Sequence, residues 1–162
     1  MTNEEIDRME AGRELDALVA ERVMDWRWLV SQVSGRRALF PPDHAPEWFG
    51  RVADGSEPLT DQWDTRLPHY STDIAAAWQV VEKMRERWPV VRLEVDVEGW
   101  RVEIHTDEGT PSYYRPVAED YADTWPLAIC RVALKAVAAD APPLEARIAK
   151  ACDKVLDGLE DQ

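Results

Sequence analysis

Nowhere in this chain do the roughly 20 apolar residues needed to cross a bilayer run together, so no segment reads as a transmembrane helix. Cysteine is scarce: Cys130 and Cys152 are the only two in 162 residues, and neither belongs to a CxxC pair. That excludes a disulfide-built scaffold, and two thiols set in apolar, helically patterned segments are expected to be buried and reduced. Histidine is equally thin. His44, His69 and His105 stand on separate segments without ligand-like spacing, so no zinc site is expected. The signatures GxGxxG, GxxxxGK[ST], GxSxG and HExxH are all missing, which removes the common dinucleotide, P-loop, serine-hydrolase and zincin readings. No cofactor is implied, and no constellation demands an enzyme.

Positive charge is also outweighed. Nineteen Lys and Arg face 32 Asp and Glu, for a net charge of −13. Tracking along a phosphate backbone relies on clustered cations, so direct nucleic-acid binding is not expected. The acidic surface fits two readings: plain solubility, or imitation of nucleic acid in the basic groove of a host protein. The opening MTNEEIDRMEAGRELD is acidic and polar, where a signal peptide is basic and then apolar. A cytoplasmic protein without a membrane partner is expected.

What is present suffices for a core. Apolar residues make up 45% and charged residues 31%, a globular composition, and the length fits one domain over residues 1–162. In RELDALVAERVMDW, Leu15, Leu18, Val19, Val23 and Trp26 recur at helical spacing, which predicts an amphipathic helix over 13–26. Residues 27–69 then contain Gly35, Pro41, Pro42, Pro46, Gly50, Gly55, Pro58 and Pro68. Breakers at that density exclude one long helix and predict short strands joined by turns.

This insert sets Trp28, Trp48, Phe49 and Trp63 among Arg27, Arg36, Arg37, Arg51 and Arg66. Aromatic rings with guanidinium groups suit a flat anionic ligand, by stacking and by hydrogen bonds to phosphate. A proline-rich cover pinned to the core by its tryptophans is the other reading.

The stretch PHYSTDIAAAWQVVEKM places His69, Ser71 and Asp73 close together. Ser71 or Thr72 is expected to cap the following helix, with Asp73 in its first turn. Ile74, Ala77, Trp78, Val81, Met84 and Trp88 form the predicted stripe, and Pro89 the stop. Because these polar residues all have structural uses, a catalytic triad is not the expected reading. A general-base role for His69 or His105 remains the third alternative.

VVRLEVDVEGWRVEIHTDEG alternates apolar and polar residues on either side of Gly99, predicting a β-hairpin. Its apolar face carries Leu93, Val95, Val97, Trp100, Val102 and Ile104; the other carries Glu94, Asp96, Glu98, Glu103 and His105. Alternating charge fits a solvated antiparallel face, with a cation or acid–base site as the alternative. A third strand is predicted at Ser112–Val117. WPLAICRVALKAVAAD, capped by Thr124, predicts a helix with a stripe of Leu127, Cys130, Leu134 and Val137. A last helix is predicted along Leu144, Ile148, Cys152, Val155 and Leu159, followed by an acidic tail.

Three stretches, GRELDALVAERVMDW, PHYSTDIAAAWQVVEKM and DTWPLAICRVALKAV, resemble in that order the phage ABA sandwich domain proteins. The last is also similar to the NinX-like accessory proteins of lambdoid phages. The resemblance implies an α+β fold, a small antiparallel β-sheet sandwiched by α-helices, and a phage or prophage source. It carries no catalytic residues to transfer. The long Trp-rich connection at 27–69 departs from the briefer one in many relatives.

Aromatic and polar residues gather at the helix entrances. If the end of the first helix meets the start of the middle one, Trp26, His69, Tyr70, Ser71, Thr72 and Trp125 wall a concave site with backbone N–H donors, suited to a small anion. With Trp28, Arg36, Arg37 and Trp63 of the insert, these are the candidate ligand-binding residues. The expected function is that of a non-catalytic phage accessory protein sequestering a nucleotide-type ligand, or alternatively of an acidic inhibitor of a host protein. A second copy of the chain is a further candidate partner.

Overall fold

A computed structural model describes residues 1–61, 63–97, 99–105 and 116–140. Along the chain run α1 (Asn3–Asp7), α2 (Arg13–Arg22), β1 (Arg27–Ser31), β2 (Arg37–Phe40), β3 (Phe49–Val52), α3 (Ile74–Arg85), β4 (Val90–Asp96), β5 (Gly99–His105), β6 (Ala118–Ala122) and α4 (Trp125–Asp140). This is the expected α+β class, with two antiparallel sheets of three strands each, in the orders β2-β1-β3 and β4-β5-β6. The breaker-rich insert supplies the first sheet by itself.

α4 is the hub of the core. Ala128, Ile129, Cys130, Val132, Ala133, Leu134 and Ala136 are all buried, a wider face than the predicted stripe. The helix packs on α3 and α2 on one side and on β5 and β6 on the other, and small side chains let those elements approach closely. Val102 and Ile104 of β5, Val80 and Met84 of α3, Leu15 and Val19 of α2 and Leu39 of β2 complete one cluster. Burial pushes the Cys130 thiol well above its ordinary range, so this cysteine packs as an inert small hydrophobe.

Several boundaries move for local reasons. α2 stops at Arg22 rather than reaching Trp26, because Asp25 takes a left-handed φ of 60° and Trp26 N–H turns back to Ala20 O (2.9 Å), a helix-ending geometry. α3 is capped by Asp73, whose carboxylate accepts from Ala75 N–H (2.8 Å); Ser71 and Thr72 do not cap it. The face α3 buries is Ala76, Ala77, Val80, Val81 and Met84, so Ile74 and Trp78 stay exposed. Two alanines give the closer approach to α4, and the helix is rotated to present them.

The hairpin forms as predicted, with Leu93 opposite Val102 and Val91 opposite Ile104, and Gly99 is its first strand residue after the turn, opposite Asp96. Its tip extends past the helices that cover it, leaving Val95 and Val97 exposed. The third strand is described over Ala118–Ala122; residues 112–115 of the predicted segment lie outside the described residues, as do the predicted last helix with Cys152 and the acidic tail. Val117 N–H donates to Ile104 O (2.7 Å) and starts the ladder, which Pro116 could not do for want of an N–H.

Gly99 has φ 132°, and a Cβ there would stand 2.9 Å from Ala122 O. Gly99→Ala is expected to cost about 1–3 kcal/mol from backbone strain and crowding together. Urea denaturation checks it: the midpoint falls while the slope is kept.

Candidate functional site

Two clusters gather the polar and aromatic residues that the sequence singles out. In the first, Arg13 at the start of α2 reaches into the end of the insert. Its guanidinium donates to Asp64 Oδ2 (3.2 Å), to Asp64 O, to Leu67 O (2.8 Å), to Pro68 O (3.3 Å) and to Asp16 Oδ2 (3.2 Å). Asp16 is fully buried, and its other oxygen accepts from Ser71 N–H at 2.7 Å. Ser71 Oγ in turn accepts from Gly12 N–H (2.9 Å).

His69, Ser71 and Asp73 are thereby each occupied separately. His69 Nδ1 lies 3.4 Å from Arg13 Nη1, Ser71 is buried against α2, and Asp73 caps α3. Tyr70 is buried as well, and burial raises its hydroxyl pKa to about 12. The start of α3 therefore meets the start of α2, not its end, and the concave site expected between Trp26, Tyr70 and Trp125 does not assemble. Trp125 instead packs against Trp100 in a tilted contact, with ring centroids 4.5 Å apart; Trp26 packs on the core, and Thr72 is exposed.

The second cluster lies in the insert. Trp28 and Trp63, 35 positions apart in the chain, bring their rings to 5.5 Å, and Arg37 sits 5.1 Å above the Trp28 ring. Trp28 Nε1 is tied to Glu21 of α2 (3.3 Å), which anchors the stack to the helical layer. Beside it opens a cleft of about 310 Å³. Phe40, Trp48, Phe49, Thr60, Trp63 and Arg66 are among its walls, with the rings of Phe40 and Phe49 4.5 Å apart. Trp48 is 58% exposed at the rim.

The arginines of the insert are in different situations. Arg36 pairs with Asp61 (2.9 Å), and Arg51 pairs with Glu57. Arg37 lies on Trp28. Arg66, exposed at the cleft, has no ion-pair or hydrogen-bond partner among the described residues. An aromatic wall beside an available guanidinium can hold a flat ring and an anionic group together. Of the predicted ligand residues, Trp28, Arg37 and Trp63 come together here. Phe40 and Thr60, which also line the cleft, were not among the predicted residues; β2 pairs with residues 58–60 through Arg37 and brings the two segments side by side.

The charged face of β4, β5 and β6 is more balanced than alternation implies. Arg101 contacts Glu103 (2.5 Å), Glu119 (3.0 Å) and Glu94 (4.0 Å), and Arg92 contacts Glu103 (3.5 Å). Glu103 and His105 are buried, 3.3 Å apart. Glu98 and the side chain of Asp96 lie outside the described residues. No helix among the described residues is long and apolar enough to cross a membrane.

Comparison with known proteins gives a match to the family model described as the phage ABA sandwich domain, over residues 17–134. Among solved structures, the chain is similar to a phage protein from Bacillus cereus ATCC 14579. The identity is 20% and the TM-score 0.45, over 80% of this chain and 94% of that one. No curated protein matches the chain.

Proposed function

The chain belongs to the phage ABA sandwich domain family, and from that premise we propose that it is a non-catalytic phage accessory protein that sequesters a small, flat, anionic ligand of nucleotide type in the cleft of its insert. The observation that carries this reading is the pairing of an aromatic wall, Trp48, Phe49 and Trp63, with the available guanidinium of Arg66 around one opening of about 310 Å³. Each stacked base contributes about 1–3 kcal/mol by alanine substitution, and one arginine supplies directed donors to a phosphate oxygen. A host-derived nucleotide signal, removed from the host cytoplasm by binding, is the ligand class that fits an accessory role without turnover.

Calorimetric titration with mononucleotides and cyclic nucleotides tests the reading. One of these is expected to bind, and Trp63→Ala and Arg66→Ala are each expected to weaken it about tenfold or more. Absence of heat with the whole panel overturns it. The alternative, an acidic surface that blocks a basic host protein, draws no support from the outer face of β4, β5 and β6, where Glu94, Glu103 and Glu119 are already in contact with arginines.

A further inference from the structure

Sheet edges are ready-made templates for pairing, and folds normally guard them. The outer side of β2 is occupied: Arg37 N–H donates to Pro58 O (2.9 Å) and Thr60 N–H to Arg37 O (3.0 Å). β3 is four residues long, contains Gly50, and pairs with β1 across a register shift. β6 is short and carries Glu119 and Asp120. β4 differs from all three. It runs seven residues, pairs with β5 without a register break, contains no Pro, Gly or Lys, and has no strand on its other side among the described residues.

The hydrogen-bonding phase of that edge follows from the hairpin. Asp96 and Gly99 are opposite each other across a two-residue loop, so they form the closing hydrogen-bonded pair. Alternation then directs the N–H and C=O of Glu94 and Arg92 toward β5, and those of Val91, Leu93 and Val95 away from it. No other backbone hydrogen bond among the described residues uses these three outward residues.

Read outward from Leu93 in both directions, VVRLEVD is complementary to itself: arginine on one side and glutamate on the other, then valine on both. We propose that two copies of the chain pair antiparallel through β4, with Leu93 on the twofold axis, joining two three-stranded sheets into one continuous sheet. In this register Leu93 faces its own copy and Val91 faces Val95 of the second copy, which matches outward N–H and C=O groups throughout. Arg92 faces Glu94 of the second copy, twice by symmetry, on the outer face of the sheet. Val95, 61% exposed in the single chain, gains an apolar cross-strand neighbour. A one-residue slip sets inward-directed groups against outward ones, and a slip of two keeps the phase but sets Arg92 against Arg92 or Glu94 against Glu94, so phase and charge together select this register. This surface is separate from the insert cleft and does not depend on the ligand assigned to it.

Light scattering coupled to size exclusion tests the pairing. The expected mass is about 37 kDa, twice the 18.5 kDa chain. Arg92→Glu and Glu94→Arg each set like charges opposite one another and are expected to raise the dimer dissociation constant about tenfold or more. An equimolar mixture of the two variants restores complementary pairs and is expected to form a heterodimer at close to the original affinity. Val95→Lys, at an exposed position that the fold tolerates, is expected to give a folded monomer. A wild-type chain that runs as a monomer, a dimer indifferent to Val95→Lys, or a mixture of charge variants no tighter than either alone overturns the proposal.

Discussion

Lys135→Met is expected to lower the unfolding free energy by about 3–5 kcal/mol, the usual cost of leaving a buried charge without its partner. Lys135 lies in the middle of α4 and is only 9% exposed; Asp120 on β6 is 4% exposed. Its ammonium donates to Asp120 Oδ1 at 2.6 Å and to Glu119 O at 3.1 Å, and lies 2.6 Å from Asp7 Oδ1 of α1. Asp120 Oδ2 has no hydrogen-bond partner among the described residues, so methionine leaves that carboxylate with only the charge of Arg131 to offset it. The same contact is what ties α1 to the sheet. Lys135→Met with Asp120→Leu removes both charges and is expected to recover most of the loss. Chemical denaturation of the single and double variants measures both; equal losses in the two would show that packing volume, not the charge, sets the cost.

The groups of that contact respond to pH in different directions: burial holds the Asp120 carboxyl above its ordinary 3.8 despite the Lys135 ammonium, so its charge is disfavoured by the fold. Burial acts against the Lys135 ammonium, but the hydrogen bonds to Asp120 and Asp7 outweigh it and hold the pKa above its ordinary 10.5. Its contribution is complete below that value and is lost as pH rises through the raised one. For Asp7, burial raises and the Lys135 hydrogen bond lowers; the net direction is below the ordinary 3.8. Its contribution is present above 3.8 and lost as pH falls through the lowered value.

Asp16→Ala is the second large effect, with an expected loss of about 2–4 kcal/mol. One fully buried carboxylate accepts both Ser71 N–H and the Arg13 guanidinium. Alanine leaves a buried N–H unpaired and removes the anion opposite the residue that holds Asp64, Leu67 and Pro68. Asp16→Asn keeps an acceptor for Ser71 and is expected to lose less. Because Arg13 fixes the end of the insert, tryptophan emission is expected to shift to the red in Asp16→Ala as Trp63 loosens from Trp28. Unchanged stability in Asp16→Ala would mean that the insert is held by its aromatic packing alone.

Legibility in the sequence followed the range of the interactions. Thr124, Pro126 and an alanine-rich apolar run are local signals, and α4 spans Trp125–Asp140 as predicted. Strict alternation around Gly99 gave the β4–β5 hairpin, and the breakers in 27–69 were correctly read as short strands and turns. The cap of α3 was misplaced because Ser71 finds its partners, Gly12 and Asp16, more than 50 positions away. Nothing near position 71 announces that.

The cleft was half legible for the same reason. Composition picked out Trp63, which lines it, and Trp28 and Arg37 in the aromatic contact beside it, since rings and guanidinium groups attract wherever they meet. It could not pick out Phe40 or Thr60, nor separate Arg66 from Arg36 and Arg51, because ion pairing to Asp61 and Glu57 is set by loop closure. Local periodicity, capping chemistry and family resemblance by themselves determined the class of fold, most of the helices and the hairpin. The tertiary structure alone decided which polar groups are buried and spent, which aromatic rings share a wall, and that a lone lysine in an apolar helix meets two carboxylates. Those outcomes depend on contacts between distant segments, which periodicity within one segment does not encode.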